Sequence, residues 1–191
     1  MSEEKRYYNP QISVKAVRYP SHILQGVNTY KQLVVANFFD VDIMIDENVK
    51  EWYTSDTFMP STDKSIGFDL RAVVTGGGTL VIGSGDRVRI NTGVHIQPKE
   101  PGINGYVFSR SGLGAKEGLI VAQGVGVIDP DYTGPIYIWL LNTSKKPIVV
   151  QHGDRIAQLI FMRYELPMLH FVDRLEDTTR NAGGFGSTGT K

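Results

Sequence analysis

The chain has 191 residues, with 20 basic and 20 acidic side chains and no cysteine. This balance excludes a global electrostatic attraction to nucleic acid or anionic membranes, and the lack of cysteine excludes disulfides and thiolate metal sites. Because residues 1–6 lack the apolar core of a signal peptide and no apolar run could cross a bilayer, we expect a soluble intracellular protein, cytoplasmic or nuclear, without stable nucleic-acid or membrane binding.

Short apolar segments separated by glycine dominate the chain, which favours an all-β domain. Residues 11–19 alternate apolar and polar side chains and are predicted as a first, half-buried strand. Residues 41–46 alternate with acidic side chains, which predicts an edge strand with a solvated acidic face, and residues 47–53 are a candidate short helix. We expect residues 20–57 to be a structured insertion in a domain that spans residues 1–177.

The central segments show the same strand pattern. Residues 88–96 alternate on both sides of a turn at 91–93, and residues 113–117 are the best candidate for a short helix. Residues 136–141 are apolar on both faces, which predicts a strand covered on both sides by a second sheet or by another subunit. Residues 156–164 form the last long predicted strand.

Three segments carry residues suited to phosphate chemistry. Residues 109–116 combine a serine, an arginine and glycines at a predicted strand-to-helix turn, where backbone N–H groups favour phosphate. Residues 124–134 place two carboxylates and a tyrosine at a hairpin mouth, where an aspartate can accept a proton from water. The glycine-rich tail, residues 178–191, can fold over a ligand as a lid and should be mobile when empty. Taken singly, each segment is better explained as an ordinary turn or terminus.

Together the segments resemble the five motifs of the trimeric dUTPase family. They occur in order along the chain, at residues 66–72, 109–113, 126–134, 153–160 and 180–189. Each motif is short, but five in order are specific, and the resemblance covers residues 58–191 together with a first strand near residues 12–19. Three single-residue departures from the family pattern are Ile66 for alanine, Ser109 for proline and Asn181 for glycine, and none of them removes a proposed catalytic group. The insertion at residues 20–57 is atypical of the family and is the larger departure.

The resemblance implies an all-β jelly roll with a short helix, assembled as a homotrimer with a mobile C-terminal arm at 178–191. Each active site would take motifs from all three chains. The implied reaction is hydrolysis of dUTP to dUMP and pyrophosphate by in-line attack of water on the α-phosphorus, which limits uracil incorporation into DNA and supplies dUMP for dTMP synthesis. The implied cofactor is Mg²⁺, held by the phosphates and water, with Asp69 at most an indirect ligand through water.

The resemblance also assigns roles to single residues. Asp129 would be the catalytic base that orients and deprotonates the attacking water. The backbone around Gly126 would read uracil, and Tyr132 would pack against the deoxyribose. The phosphates would be bound by Arg110, Ser111, Gly112 and Gln158. The residues of the arm that close over the nucleotide would be Arg180, Phe185, Ser187 and Thr188.

Two alternatives remain open at this point. One is dCTP deaminase, an enzyme of the same fold that usually has a doubled serine after the arginine of the second motif and a glutamate in the strand after the third. Here Gly112 follows Ser111, and residues 137–141 contain no acid. The other is a trimer that senses nucleotide or binds a partner through its insertion without catalysis. Ammonia from dCTP, or binding of dUTP without turnover, would distinguish them.

Overall fold

The computed structural model describes residues 39–54, 57–62 and 65–184, so the strand predicted at 11–19 lies outside the described residues. Eleven strands were found in the described ranges. In chain order they are β1 (Val41–Ile45), β2 (Phe68–Arg71), β3 (Thr79–Ile82), β4 (Arg87–Asn91), β5 (Val94–Pro98), β6 (Ile103–Ser109), β7 (Leu119–Val121), β8 (Gly126–Ile128), β9 (Tyr137–Asn142), β10 (Ile148–Gln151) and β11 (Arg155–Arg163). Helical structure is limited there to 3-10 turns at Glu47–Trp52 and Thr75–Gly77 and a π-helical segment at Gly112–Glu117. The predicted all-β class is confirmed.

The strands pair antiparallel into sheets that close around one core. The sheet orders are β2-β11-β6-β8, β4-β9-β7, β1-β5 and β10-β3. Each sheet sends side chains into a shared apolar cluster, including Leu70, Ile82, Ile96 and Leu140, each at most 2% exposed. Full burial of such a side chain contributes roughly 1.5–3 kcal/mol. The result is the predicted jelly-roll type of β domain.

Residues 41–49 belong to this core. β1 pairs with β5 with Val41 opposite Pro98, and Val49 of the following 3-10 turn is fully buried. Gly93 makes this packing possible, because a Cβ there would lie 2.5 Å from a methyl group of Val49, and its φ of 67° is one that glycine adopts without strain. The turn predicted at 91–93 therefore carries the chain from one sheet to another: β4 pairs with β9, whereas β5 pairs with β1.

The two apolar faces of strand β9 have different surroundings. Ile138 and Leu140 are buried in the core, at 1% and 0% exposure. On the opposite face Tyr137 and Trp139 remain 41% and 46% exposed, and the guanidinium of Arg89 lies 4.7 Å from the centre of the Tyr137 ring. Within one chain the strand is thus covered on one face, and the outer face is partly open.

Aromatic contacts attach the segment after β1 to the end of β2. The buried Tyr53 hydroxyl accepts the backbone N–H of Arg71 at 2.6 Å, and its ring packs against Phe58 at a centroid distance of 5.1 Å. Burial raises the pKa of Tyr53 from 10.0 to about 12, so the hydroxyl stays protonated across the physiological range. Trp52 packs edge-on against His152, whose Nδ1 accepts the N–H of Val74 at 3.1 Å.

No helix in the described part of the chain is long and apolar enough to span a membrane.

Replacing Tyr53 with phenylalanine tests the link between the N-terminal segment and β2. The change leaves the N–H of Arg71 without its acceptor in a buried setting, so we expect a loss of about 1–3 kcal/mol in the free energy of unfolding, measured with urea. Tyr137→Phe, at an exposed ring, is the matched control. Because Tyr53 ionises more readily when unfolded, the advantage of the wild type should shrink as pH rises from 10.0 towards about 12. An equal loss in both variants would contradict this role.

Candidate active site

One polar cavity of about 410 Å³ lies beside the ends of β2, β6 and β11. Backbone and side chains from four separate stretches of sequence meet there. Its lining consists of Ser61, Ser65, Ile66, Gly67, Asp69, Arg110, Ser111, Gly112, Arg155 and Gln158. Volumes of this order suit a small ligand. The lining is rich in hydrogen-bond donors, which favours an anionic one.

An ion cluster orders the cationic side chains of the cavity. Asp69 accepts hydrogen bonds from Arg110 Nε at 2.8 Å on one carboxylate oxygen and from Arg155 Nη1 at 3.0 Å on the other. Arg110 Nη1 also donates to the backbone carbonyl of Arg155 at 3.1 Å. Each guanidinium has five N–H donors, so both keep several for an anion such as phosphate. With two cations and one carboxylate, the cluster carries a net positive charge.

Gln158 lies between β2 and β6, since its position on β11 is paired with Asp69 on one side and Phe108 on the other. Its Nε2 donates to the carbonyl of Ser109 at 3.0 Å. A Cβ on Gly67 would lie 2.4 Å from Gln158 Oε1, so only glycine leaves this side chain its place. The Ser109 hydroxyl, at the position where proline was expected from the resemblance, accepts the N–H of Val121 at 2.8 Å and ties β6 to β7.

The loop between β8 and β9 carries the second group of predicted residues. Gly126 pairs with Val107, and a Cβ on this glycine would come 3.2 Å from the Val107 Cβ. Asp129 is exposed, and its carbonyl accepts the N–H of Tyr132 at 3.0 Å, which closes a turn. The Tyr132 hydroxyl donates to the carbonyl of Pro135 at 2.9 Å, so its ring is held across the loop while 43% of the residue stays exposed.

The chain after β11 is exposed as far as the structure describes it. Thr178 and Asn181 exchange two hydrogen bonds, of 2.7 and 3.0 Å, and Asn181 has a φ of 44°, in the left-handed region that glycine and asparagine tolerate best. Arg180 Nε donates to the carbonyl of Gly183 at 2.7 Å. The predicted arm residues Phe185, Ser187 and Thr188 lie outside the described residues.

The structure therefore divides the predicted site residues into groups. Those brought together in the cavity are Asp69, Arg110, Ser111, Gly112 and Gln158; those not among its described lining residues are Gly126, Asp129, Tyr132 and Arg180. Arg155 and Gly67 also line the cavity, although the sequence analysis assigns no role to either residue. Among the described residues no cluster of three or more histidine, aspartate or glutamate side chains could hold a metal ion.

Comparison with known proteins points to one family. The dUTPase family model matches residues 54–189. A deoxyuridine 5'-triphosphate nucleotidohydrolase of Desulfitobacterium hafniense is 43% identical over 129 residues, 68% of this chain and 84% of the relative. One from Shewanella baltica is 40% identical over 131 residues, 69% of this chain and 85% of the relative. The crystal structure of dUTPase from Streptococcus mutans has a TM-score of 0.54 at 28% identity, covering 66% of this chain and 98% of that one.

Replacing Gly67 with alanine tests whether Gln158 contributes to anion binding. The added methyl group displaces the Gln158 side chain, so we expect the Kd for inorganic triphosphate to rise roughly tenfold, the loss of about one hydrogen bond. Gly78→Ala is the matched control, because a Cβ there meets nothing within 4 Å. Isothermal titration of the three proteins measures the effect. An unchanged Kd in Gly67→Ala would remove Gln158 from the binding site.

Proposed function

The chain belongs to the dUTPase family, and from this we propose that it hydrolyses dUTP to dUMP and pyrophosphate in sites shared by three chains, with Mg²⁺ as cofactor. The observation that carries the proposal is the ion cluster of Asp69, Arg110 and Arg155 in the lining of a polar cavity. The attack is in line on the α-phosphorus. The reaction removes a precursor of uracil in DNA and supplies dUMP for dTMP synthesis.

The cavity supplies the positive charge that phosphoryl chemistry requires. Attack of water on phosphorus builds charge on the equatorial and leaving oxygens, and fixed donors stabilise that charge better than mobile water. Arg110 provides N–H donors whose direction is fixed by Asp69, and Arg155 provides a second set on the same carboxylate. Ser111 adds a hydroxyl, Gly112 an open stretch of backbone where a phosphate oxygen can approach closely, and Gln158 a side-chain amide.

The same cluster fits an indirect contact with Mg²⁺. Both carboxylate oxygens of Asp69 already accept from arginines, which leaves it suited to bind a water of the metal rather than the metal itself. Asp69 would then hold Mg²⁺ through a water molecule, while substrate phosphates and water would supply the other ligands, as is usual for this ion. When bound, Mg²⁺ neutralises phosphate charge and holds the triphosphate in one geometry.

The β8–β9 loop supplies the catalytic base and the residue that recognises the sugar. Asp129 is exposed at the end of β8, where its carboxylate can orient a water and take its proton. Tyr132, held by its bond to Pro135, presents a ring that packs on the deoxyribose and leaves no room for a 2'-hydroxyl. The backbone at Gly126 packs closely against Val107. The peptide groups around Gly126 form the hydrogen bonds that recognise uracil.

Strand register gives a reason why two chains must share a site. Ile128 at the end of β8 is opposite Gly105, whereas Arg110 follows the far end of β6. Five residues of strand separate Gly105 from Arg110, a distance of about 17 Å at about 3.4 Å per residue. A base that far away cannot serve the phosphorus bound beside Arg110 of its own chain. We therefore place Asp129 of one chain at the cavity of a neighbour.

The C-terminal segment provides a reason for the third chain. It exposes a run of large apolar side chains, among them Leu166 at 83%, Phe171 at 96% and Leu175 at 81%. Apolar side chains exposed to water contribute no hydrophobic stabilisation to a monomer, whereas contact with another chain would bury them. An arm docked in that way would carry Arg180 to a distant site, where it closes over the nucleotide together with Phe185, Ser187 and Thr188.

A substrate panel tests the proposed reaction. We expect pyrophosphate release from dUTP with Mg²⁺, a large loss of rate without the metal, and much slower release from dCTP, dTTP and UTP. A phosphate-coupled assay of pyrophosphate measures hydrolysis, and a parallel ammonia assay measures deamination. Ammonia from dCTP without pyrophosphate from dUTP would replace the proposal with a deaminase. Binding of dUTP without turnover would make the chain a nucleotide-binding trimer.

The variant Asp129→Asn tests the base. Asparagine keeps the shape of the side chain but cannot take a proton, so we expect kcat for dUTP to fall about 100- to 10,000-fold while the Kd changes by less than about threefold. The matched control is Asp131→Asn, a second exposed aspartate in the same loop. Near wild-type turnover in Asp129→Asn, or an equal loss in both variants, would remove Asp129 from the role of base.

A further inference from the structure

A histidine of β5 connects the segment after β1 to the β8–β9 loop. His95 Nε2 lies 3.1 Å from a carboxylate oxygen of Asp46, and its Nδ1 lies 2.8 Å from the backbone carbonyl oxygen of Thr133. The His95 side chain is 12% exposed, so the ring is held mostly away from water. Thr133 directly follows Tyr132, so the contact reaches the loop next to the residue proposed to face the sugar.

Both partners of the ring are acceptors. Each ring nitrogen of His95 lies within hydrogen-bond distance of one of these oxygens, so a single side chain bridges Asp46 and Thr133. Hydrogen bonds in which a partner is charged are shorter and stronger than neutral ones. The chain from Asp46 through His95 to Thr133 is therefore a tie for the loop that a side chain able to reach only one of the two partners could not supply.

Asp46 is itself a fixed point. Its backbone N–H donates to the carbonyl of Gly93 at 2.8 Å, and it follows directly on Ile45, which pairs with Val94. The Asp46 Cβ is also close to Gly93, since a Cβ built on that glycine would lie 3.4 Å from it. The carboxylate that faces His95 is thus anchored to the same strand as the histidine.

The bonds at the foot of the loop show what His95 adds. Thr92 donates to the carbonyl of Ile136 through its N–H at 3.2 Å and its hydroxyl at 2.8 Å, and Ile136 donates in turn to the carbonyl of Val94 at 2.8 Å. These bonds fix Ile136, which directly precedes β9 and is three residues beyond Thr133. The bond from His95 is further out, so it restrains the part of the loop that carries Tyr132.

We propose that His95 and Asp46 are positioning residues that hold the loop of residues 129–135, and with it Tyr132 and Asp129, in the geometry needed for catalysis and sugar discrimination. The catalytic consequence rests on the proposed function, whereas the restraint on the loop does not. Small displacements of a catalytic group have large effects on rate, about 100-fold for roughly 1 Å. Loosening the loop should therefore lower kcat and weaken the preference for dUTP over UTP.

The test uses the full chain with Asp46→Asn, His95→Gln and the double variant. Glutamine keeps a polar side chain, but both of its N–H groups are on one terminal nitrogen, so it does not place polar atoms at the two separate positions of the imidazole nitrogens that face Asp46 and Thr133. The matched control is Asp42→Asn, which removes the carboxylate of an exposed ion pair with Lys99 on the same two-stranded sheet, away from the histidine. The first readout, hydrogen–deuterium exchange of the 129–135 amides, requires no activity; the second is the ratio of kcat/KM for dUTP to that for UTP.

We expect exchange in the loop to accelerate about tenfold in Asp46→Asn and His95→Gln, with no further gain in the double variant, and wild-type exchange in Asp42→Asn. The preference for dUTP over UTP should narrow about tenfold in the same variants, mainly through kcat. Unchanged loop exchange in both single variants, or an equal change in Asp42→Asn, would overturn the inference. A wild type that does not hydrolyse dUTP would refute the proposed function alone, because the exchange comparison would still decide whether the pair restrains the loop.

Discussion

The bidentate use of one carboxylate by two arginines is the constraint on which the cavity depends. Two guanidinium groups brought to one cavity repel each other, and Asp69 offsets that repulsion with one oxygen for each. The antiparallel sheet makes the arrangement possible, because it brings together residues that are far apart in sequence. Asp69 is on β2, Arg155 begins β11, and Arg110 directly follows β6, so three neighbouring strands present the cluster.

The same sheet also explains why the predicted site is incomplete within one chain. β8 is at the edge opposite β2, and it runs antiparallel to β6, so the loop that follows it points away from the arginines. The fold thus presents the arginine-lined cavity and the loop that carries Asp129 at two places on its surface. Symmetric assembly, in which each chain gives one half and receives the other, is the simplest way for such a chain to build a whole site.

Local sequence patterns were sufficient for most elements and for part of the site. Alternation located β4, β5, β9 and β11 to within a residue or two, and the glycine-rich stretch after Ser111 located the short helical segment. Pairing between strands was not visible, since the turn at Gly93 separates strands of different sheets. Arg155 was missed as a site residue for the same reason: its bond to Asp69 joins residues 86 positions apart, and no local pattern reports such a contact. The contribution of residues 41–53 was only partly visible: the alternation at 41–46 indicated the edge strand β1 and residues 47–53 a short helix, but no local pattern indicated that Val49 and Tyr53 would be buried.

The turn at Asn181 has an entropic consequence for the arm. Glycine at this position would leave the free arm many backbone states to lose on becoming ordered, whereas asparagine restricts them. The two bonds between Thr178 and Asn181 narrow the choice further and already hold the left-handed conformation. The proposed ordering of the arm over a ligand would therefore remove less conformational freedom than it would with glycine at position 181. A smaller entropy loss on ordering would make the free energy of ligand binding more favourable than it would be with a fully flexible arm.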